Sequence, residues 1–167
     1  MDEAPRMLAA IPKLSKSRFI AGLQCHKRLY LECYANDLTP APDPFTQLWL
    51  NTGTAVGALA RQRFPGGLRV DEDHVHHDEA IEKTRRALAD PAVASIYEAA
   101  FTGNDVRIRA DVLVRVGQDT FDLVEVKSST GPRSEHEWDI ALQLAVLEGS
   151  GIRIRRAELM HLDRTYV

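Results

Sequence analysis

Residues Val106 to Lys127 carry the pattern that most limits how this chain can fold. From Val106 to Val116, Val106, Ile108, Ala110, Val112, Val114 and Val116 alternate with Arg107, Arg109, Asp111 and Arg115. Leu113 is the apolar exception on the polar face. A period of two belongs to a β-strand with one buried face, not to a helix. Gly117-Gln-Asp-Thr120 then supplies turn chemistry before a second, more apolar strand, Phe121-Asp-Leu-Val-Glu-Val-Lys127. On that strand Glu125 and Lys127 share a face. If the two strands pair antiparallel, Asp111, Glu125 and Lys127 converge on one patch.

The remaining segments arrange themselves around this hairpin. Residues 1–13 read as a flexible tail. Leu14 to Tyr34 reads as helix, with Ser15 or Ser17 as N-cap and a break at Gly22. Asn36 to Pro44, with its three prolines, is a loop. Phe45 to Phe64 is a second helix, ended by Pro65-Gly66-Gly67. Val70 to His77 is an acidic, histidine-rich connector with room for a short edge strand, and Asp78 to Leu88 is a third helix. Ser95 to Thr102 is a strand turning through Gly103-Asn104-Asp105 into Val106. Ser134 to Glu148 is a helix and Ile154 to Leu162 a final strand, which implies a right-handed crossover and a parallel pair. The expected fold class is α/β: a three-strand meander, a helix and a parallel fourth strand, in a single domain over residues 14–167.

Global numbers exclude little beyond membranes. The 167 residues, 44% of them hydrophobic, suffice for one core. No apolar run reaches the roughly 20 residues that span a bilayer. The N-terminus lacks the pattern of a signal peptide, so the expected location is cytoplasmic. A net charge of −3 leaves room for a local basic groove. Cys25 and Cys33, eight residues apart on one expected helix, stand about 12 Å apart along its axis, too far for a disulfide.

Two carboxylates and an ammonium group in one patch can hold a divalent metal beside a water molecule. Mg²⁺ takes hard oxygen ligands and keeps several waters. Asp111, Glu125 and the backbone carbonyl of Val126 offer three such oxygens. Lys127 is placed to orient or deprotonate the water, or to offset charge on phosphorus. The competing reading is a plain cross-strand ion pair between Asp111 and Lys127, worth about 0–1 kcal/mol if exposed.

Asp111, Glu125-Val126-Lys127 and Gln143 on the next helix together resemble the PD-(D/E)XK nuclease superfamily, in its RecB/Cas4-like branch. The segment Leu14-Ser-Lys-Ser-Arg-Phe-Ile-Ala-Gly-Leu-Gln-Cys-His-Lys-Arg-Leu29, the block Glu125-Val-Lys-Ser-Ser-Thr130 and Leu159-Met-His-Leu-Asp163 are similar to the uncharacterised bacterial DUF2779 family of RecB-like nucleases. The resemblance implies a restriction-endonuclease-like core with a mixed four-stranded sheet flanked by helices. It implies Mg²⁺- or Mn²⁺-dependent cleavage of nucleic acid, with DNA the expected substrate, in repair, recombination or defence. Asp111 and Glu125 would be metal ligands with the Val126 carbonyl, Lys127 the catalytic lysine, and Gln143 the helix residue near the scissile strand. Three departures stand against it. Leu147 occupies the place of a usual tyrosine, Gly53-Thr-Ala-Val-Gly57 replaces an early helical motif bearing His or Glu, and family members are much longer. A missing C-terminal region or a protein partner is therefore expected.

Other residues divide between functional and structural readings. Arg107 and Arg109 share the Asp111 face, and Lys27, Arg28 and Ser128 are further candidates for nucleic-acid contact. Ser128-Ser129-Thr130 either meets phosphate or caps a turn. Glu98 is a candidate extra carboxylate. Cys25 matches the lone early ligand of Cas4-like iron–sulfur clusters, but four thiolates are required and no cysteine follows Cys33, so a buried, packing cysteine is expected. His74, His76 and His77 match no zinc spacing and read as a solvated connector. His136 either touches substrate or is surface polar. The rival to a nuclease is a non-catalytic nucleic-acid-binding or assembly module on the same fold; a third reading is an incomplete piece whose helices pack on a partner.

Overall fold

The computed structural model describes residues 13–166, so the expected tail lies almost wholly outside it. The elements run β1 (Leu14–Ser15), α1 (Lys16–Gln24), α2 (His26–Tyr34), a 3₁₀ turn (Asn36–Leu38), α3 (Pro44–Arg61), β2 (Gly67–Arg69), α4 (His77–Ala89), β3 (Ser95–Gly103), β4 (Val106–Arg115), β5 (Thr120–Val126), α5 (Ser134–Gly149) and β6 (Arg153–Met160). Five strands lie side by side in the order β2-β3-β4-β5-β6, and β1 pairs with β4. The mixed α/β sheet therefore has six strands among the described residues, not four. The meander β3-β4-β5 is antiparallel and β6 runs parallel to β5, as the intervening helix requires.

The two extra strands are short and have local causes. β2 lies upstream of the expected Val70–His77 edge and pairs parallel with β3 through Gly67↔Ser95 and Arg69↔Tyr97. A Cβ at Gly67 would overlap the Tyr97 ring, so a larger residue here would displace that ring from the edge of β3. β1 comprises the two residues ahead of α1, and Ser15 caps that helix by accepting the Arg18 N–H at 3.3 Å. The helix break falls at Cys25, whose extended backbone (φ −162°, ψ 117°) ends α1 and begins α2. Gly22 instead lies inside α1, where a Cβ would stand 2.9 Å from Leu29 Cδ2 of the crossing helix. The linking position leaves Cys25 exposed, against the expectation of a buried cysteine.

The alternation along β4 does not run unbroken. Ile108, Ala110 and Leu113 pack in the larger core cluster, with Ala80 and Ala87 of α4 and Val146 and Leu147 of α5. Val112 and Val114 join Tyr97, Val124 and Phe64 in a second cluster. The face changes at Asp111, where the β3–β4 ladder passes from Tyr97↔Val112 to Ala99↔Ala110 and omits Glu98 and Asp111. Glu98 sits there at φ 57°, a left-handed conformation that costs a non-glycine residue about 1–3 kcal/mol. Leu113 is thus a core residue, and Val116 lies beyond the end of the strand, 37% exposed.

One consequence positions the site. β1 and β5 flank the same edge of β4, end to end. β1 covers its start, with Leu14↔Val106 and Ser15↔Arg107, and β5 covers its end, from Arg115↔Phe121 to Val112↔Val124. Between them the edge of β4 is open at Asp111, where Lys16 leaves β1 and Val126 ends β5.

Candidate active site

Where the β4–β5 ladder stops, the Asp111 side chain takes over as acceptor: its Oδ2 receives the Val126 N–H at 2.7 Å. Glu125, one residue earlier on β5, is 1% exposed and its carboxylate is fully engaged. Lys127 Nζ donates to its Oε1 at 2.6 Å, and Gln143 Nε2 to its Oε2 at 2.7 Å. Lys16 Nζ straddles both oxygens at 3.0 and 3.1 Å.

Helix α5 supplies the other wall. Asp139 and Gln143 are one turn apart on its buried face. Asp139 Oδ2 accepts from Lys127 at 2.5 Å, its Oδ1 accepts from Gln143 at 3.1 Å, and Lys16 Nζ lies 3.5 Å from Oδ1. Glu125, Asp139, Lys16, Lys127 and Gln143 therefore form one network, with Asp111 at its margin. Gln143 Oε1 is buried without a partner among the described residues.

Charge in this network is unevenly settled. Burial pushes Asp111 up to about 7, helped by the neighbouring Glu125 and opposed by Lys16. Burial would also raise Glu125, but the Lys16 and Lys127 ammoniums hold its carboxyl well below the usual range. Burial would lower both lysines. Glu125, Asp111 and Asp139 outweigh it at Lys16, and chiefly Glu125 outweighs it at Lys127, so both stay charged.

Comparison with protein-family models, with curated proteins and with solved structures finds no match. The chemistry of the site stands on its own geometry.

Of the residues expected from sequence, Asp111, Glu125, Lys127 and Gln143 meet here. Gln143 is completely buried, so it reaches any substrate only by holding Glu125 and Asp139 in place. Asp111, Glu98 and Val126 line one cavity of about 400 Å³, with Arg109, Glu72 and the α3 residues Gly53, Thr54 and Gly57. The glycine-bearing segment of α3 thus faces the site without contributing an acid or an imidazole. Arg107 and Arg109 line an adjoining cleft of about 690 Å³ with Lys13, Lys16, Arg18 and His77. Among the described residues, Arg107 Nε and Arg109 Nη1 are buried without acceptors.

Other candidates fall elsewhere. Lys27 and Arg28 border a separate hollow with Cys25, and Arg28 is committed to Glu32 at 2.8 Å and Gln24 at 2.7 Å. Ser129 caps a turn through Gly131 O at 2.8 Å, while Ser128 is half-buried beside it. His77 is not a solvated connector residue: it starts α4, is buried, and shares a 2.9 Å hydrogen bond with Thr102. His76 pairs with Asp73 at the surface. His136 is neither surface polar nor open to a ligand; it is buried and accepts the Arg133 N–H at 3.2 Å.

Lys16 and Asp139 were not singled out by sequence. Asp139 had little, because α5 lacks a clear amphipathic period and its buried stripe, His136, Asp139, Gln143, Val146 and Leu147, changes from polar to apolar along the helix. Lys16 had none, because its place depends on β1 pairing with β4 across more than ninety residues of chain.

The donor set suits a hard divalent cation. Asp111, Glu125 and the Val126 carbonyl are all oxygen donors, the ligand type that Mg²⁺ takes. Among the described residues no three His, Cys, Asp or Glu side chains converge closely enough to cage an ion. A Mg²⁺ site completed by a backbone oxygen and waters does not need three.

Proposed function

We propose that this chain is a Mg²⁺- or Mn²⁺-dependent nuclease of the PD-(D/E)XK kind, hydrolysing phosphodiester bonds of DNA in repair, recombination or defence. The observation that carries this reading is the meeting of Glu125 and Lys127 at the end of β5 with Gln143 of α5 and Asp111 of β4. Asp111, Glu125 and the Val126 carbonyl would hold the metal, which when bound supplies an acidified water and a counter-charge for the phosphoryl oxygens. Lys127 stands beside Glu125 to orient that water or neutralise charge developing at phosphorus. Asp139 holds the Lys127 ammonium, and Gln143 fixes the Glu125 carboxylate. The cleft with Arg107, Arg109, Arg18 and Lys13 offers cations to the phosphate backbone without base-reading geometry.

The reading places the protein in the cytoplasm; no helix among the described residues is long and apolar enough to cross a membrane. One observation favours the rival, a nucleic-acid-binding module without turnover: both Glu125 oxygens are already taken by lysine ammoniums and an amide. A nuclease assay with Mg²⁺ or Mn²⁺ on single- and double-stranded DNA and RNA decides between them. Cleavage lost in Asp111→Ala and Lys127→Ala supports the enzyme. Metal-independent binding with no cleavage by the wild type supports the module.

A further inference from the structure

We infer that Lys16 is a resident counter-ion of the site, occupying the carboxylates until a divalent cation displaces it. This rests on the metal-dependent reading above and adds a residue that the reading does not contain.

The geometry at Lys16 is that of a bound cation. Its ammonium bridges both oxygens of Glu125 at 3.0 and 3.1 Å and reaches Asp139 Oδ1 at 3.5 Å. Its charge also acts on Asp111, the other carboxylate assigned to the metal. One compact positive group thus answers three acidic side chains from β4, β5 and α5. A dication shared by Asp111 and Glu125 would lie within a few ångströms of that ammonium, and the two would repel strongly in so dry a place.

Two features make Lys16 the group that yields. Lys127 is held on the α5 side by shorter contacts, 2.6 Å to Glu125 and 2.5 Å to Asp139. Lys16 enters from the other end, on the first turn of α1 behind a two-residue strand. It also lines the 690 Å³ cleft beside Arg18, Arg107 and Arg109. A rotation of its four-carbon stem moves the ammonium from the carboxylates into that cleft, where an incoming phosphate would receive it. Metal loading and completion of the phosphate-binding cleft would then be one exchange.

The test follows the lysine ammonium groups by nitrogen-15 NMR during a MgCl₂ titration, with Mn²⁺ affinity measured by calorimetry for wild type, Lys16→Gln and Arg85→Gln. Glutamine keeps a donor for Glu125, and Arg85 is an exposed α4 residue paired with Glu82, outside the site. Expected is loss of the protected Lys16 ammonium signal at Mg²⁺ saturation while that of Lys127 persists. Lys16→Gln should bind Mn²⁺ about tenfold more tightly, and Arg85→Gln within about twofold of wild type. Binding by Lys16→Gln but not by wild type also supports the exchange. A Lys16 signal unchanged at saturation, or Lys16→Gln affinity equal to or below wild type, overturns the inference and leaves the metal site standing. Absence of binding in both wild type and Lys16→Gln overturns the metal reading and this inference together. If Lys16→Gln does not fold, the wild-type ammonium titration decides alone.

Discussion

The Asp111 carboxylate accepts the backbone N–H of Val126 at 2.7 Å, so a side chain of β4 continues a ladder that the two backbones have abandoned. That contact fixes an acidic group next to the residue following Glu125, and its burial there has a measurable price.

Asp111 is a carboxyl group whose pKa is raised in the folded chain, to about 7, over an unfolded value near 3.9. Such a group favours folding when protonated, so its destabilising effect is absent below about pH 4, grows from there, and is complete above about pH 7. Asp111→Asn keeps an oxygen for Val126 and removes the charge. Chemical denaturation in EDTA should find this variant more stable than wild type at pH 8, by about 2 kcal/mol, and equal to it near pH 4. A variant less stable at pH 8 would show that Asp111 is stabilised as an anion.

Gln143 holds Glu125 and Asp139 from inside the protein. Gln143→Leu preserves size and leaves two buried carboxylates each short of a donor. A loss of about 1–3 kcal/mol is expected in urea unfolding, with nuclease activity falling alongside it. An unaffected midpoint would mean that Lys16 and Lys127 satisfy those oxygens without the amide.

The face change in β4 makes Leu113 and Val116 unequal. Leu113→Ala should cost about 2–5 kcal/mol, because the side chain is fully buried between the sheet and its helices. Val116→Ala, beyond the strand and partly exposed, should cost less than about 0.5 kcal/mol. Similar losses at both sites would restore the uninterrupted alternation.

Nucleic-acid affinity should depend on the cleft and not on the basic cluster of α2. Replacing Arg18 and Arg107 with methionine is expected to lower the slope of log affinity against log salt by about two. Lys27→Met with Arg28→Met should leave that slope within about half a unit, since both residues border a different hollow. Fluorescence anisotropy across a salt series separates the two.

Much of this arrangement was legible beforehand. The two-residue period marked β4 and β5, the gap filled by Ser134 to Glu148 required a parallel β6, and Glu125 with Lys127 had to share a face. Alternation fails as a guide where a backbone irregularity resets it, and the left-handed Glu98 opposite Asp111 is such a reset with no signature in composition. Short strands were equally hidden, because β1 and β2 are two and three residues long and owe their existence to partners far along the chain.

By itself, then, the chain's local chemistry determined the strands and helices with a clear period and the adjacency of Glu125 and Lys127. Only the tertiary structure decided which charges settle there. Lys16 and Asp139 reach Glu125 through pairing and crossover, and long-range closure is indifferent to the local patterns from which sequence can be read. The same closure buries Asp111 near Glu125, and burial first, then that neighbour, raises the pKa of its carboxyl.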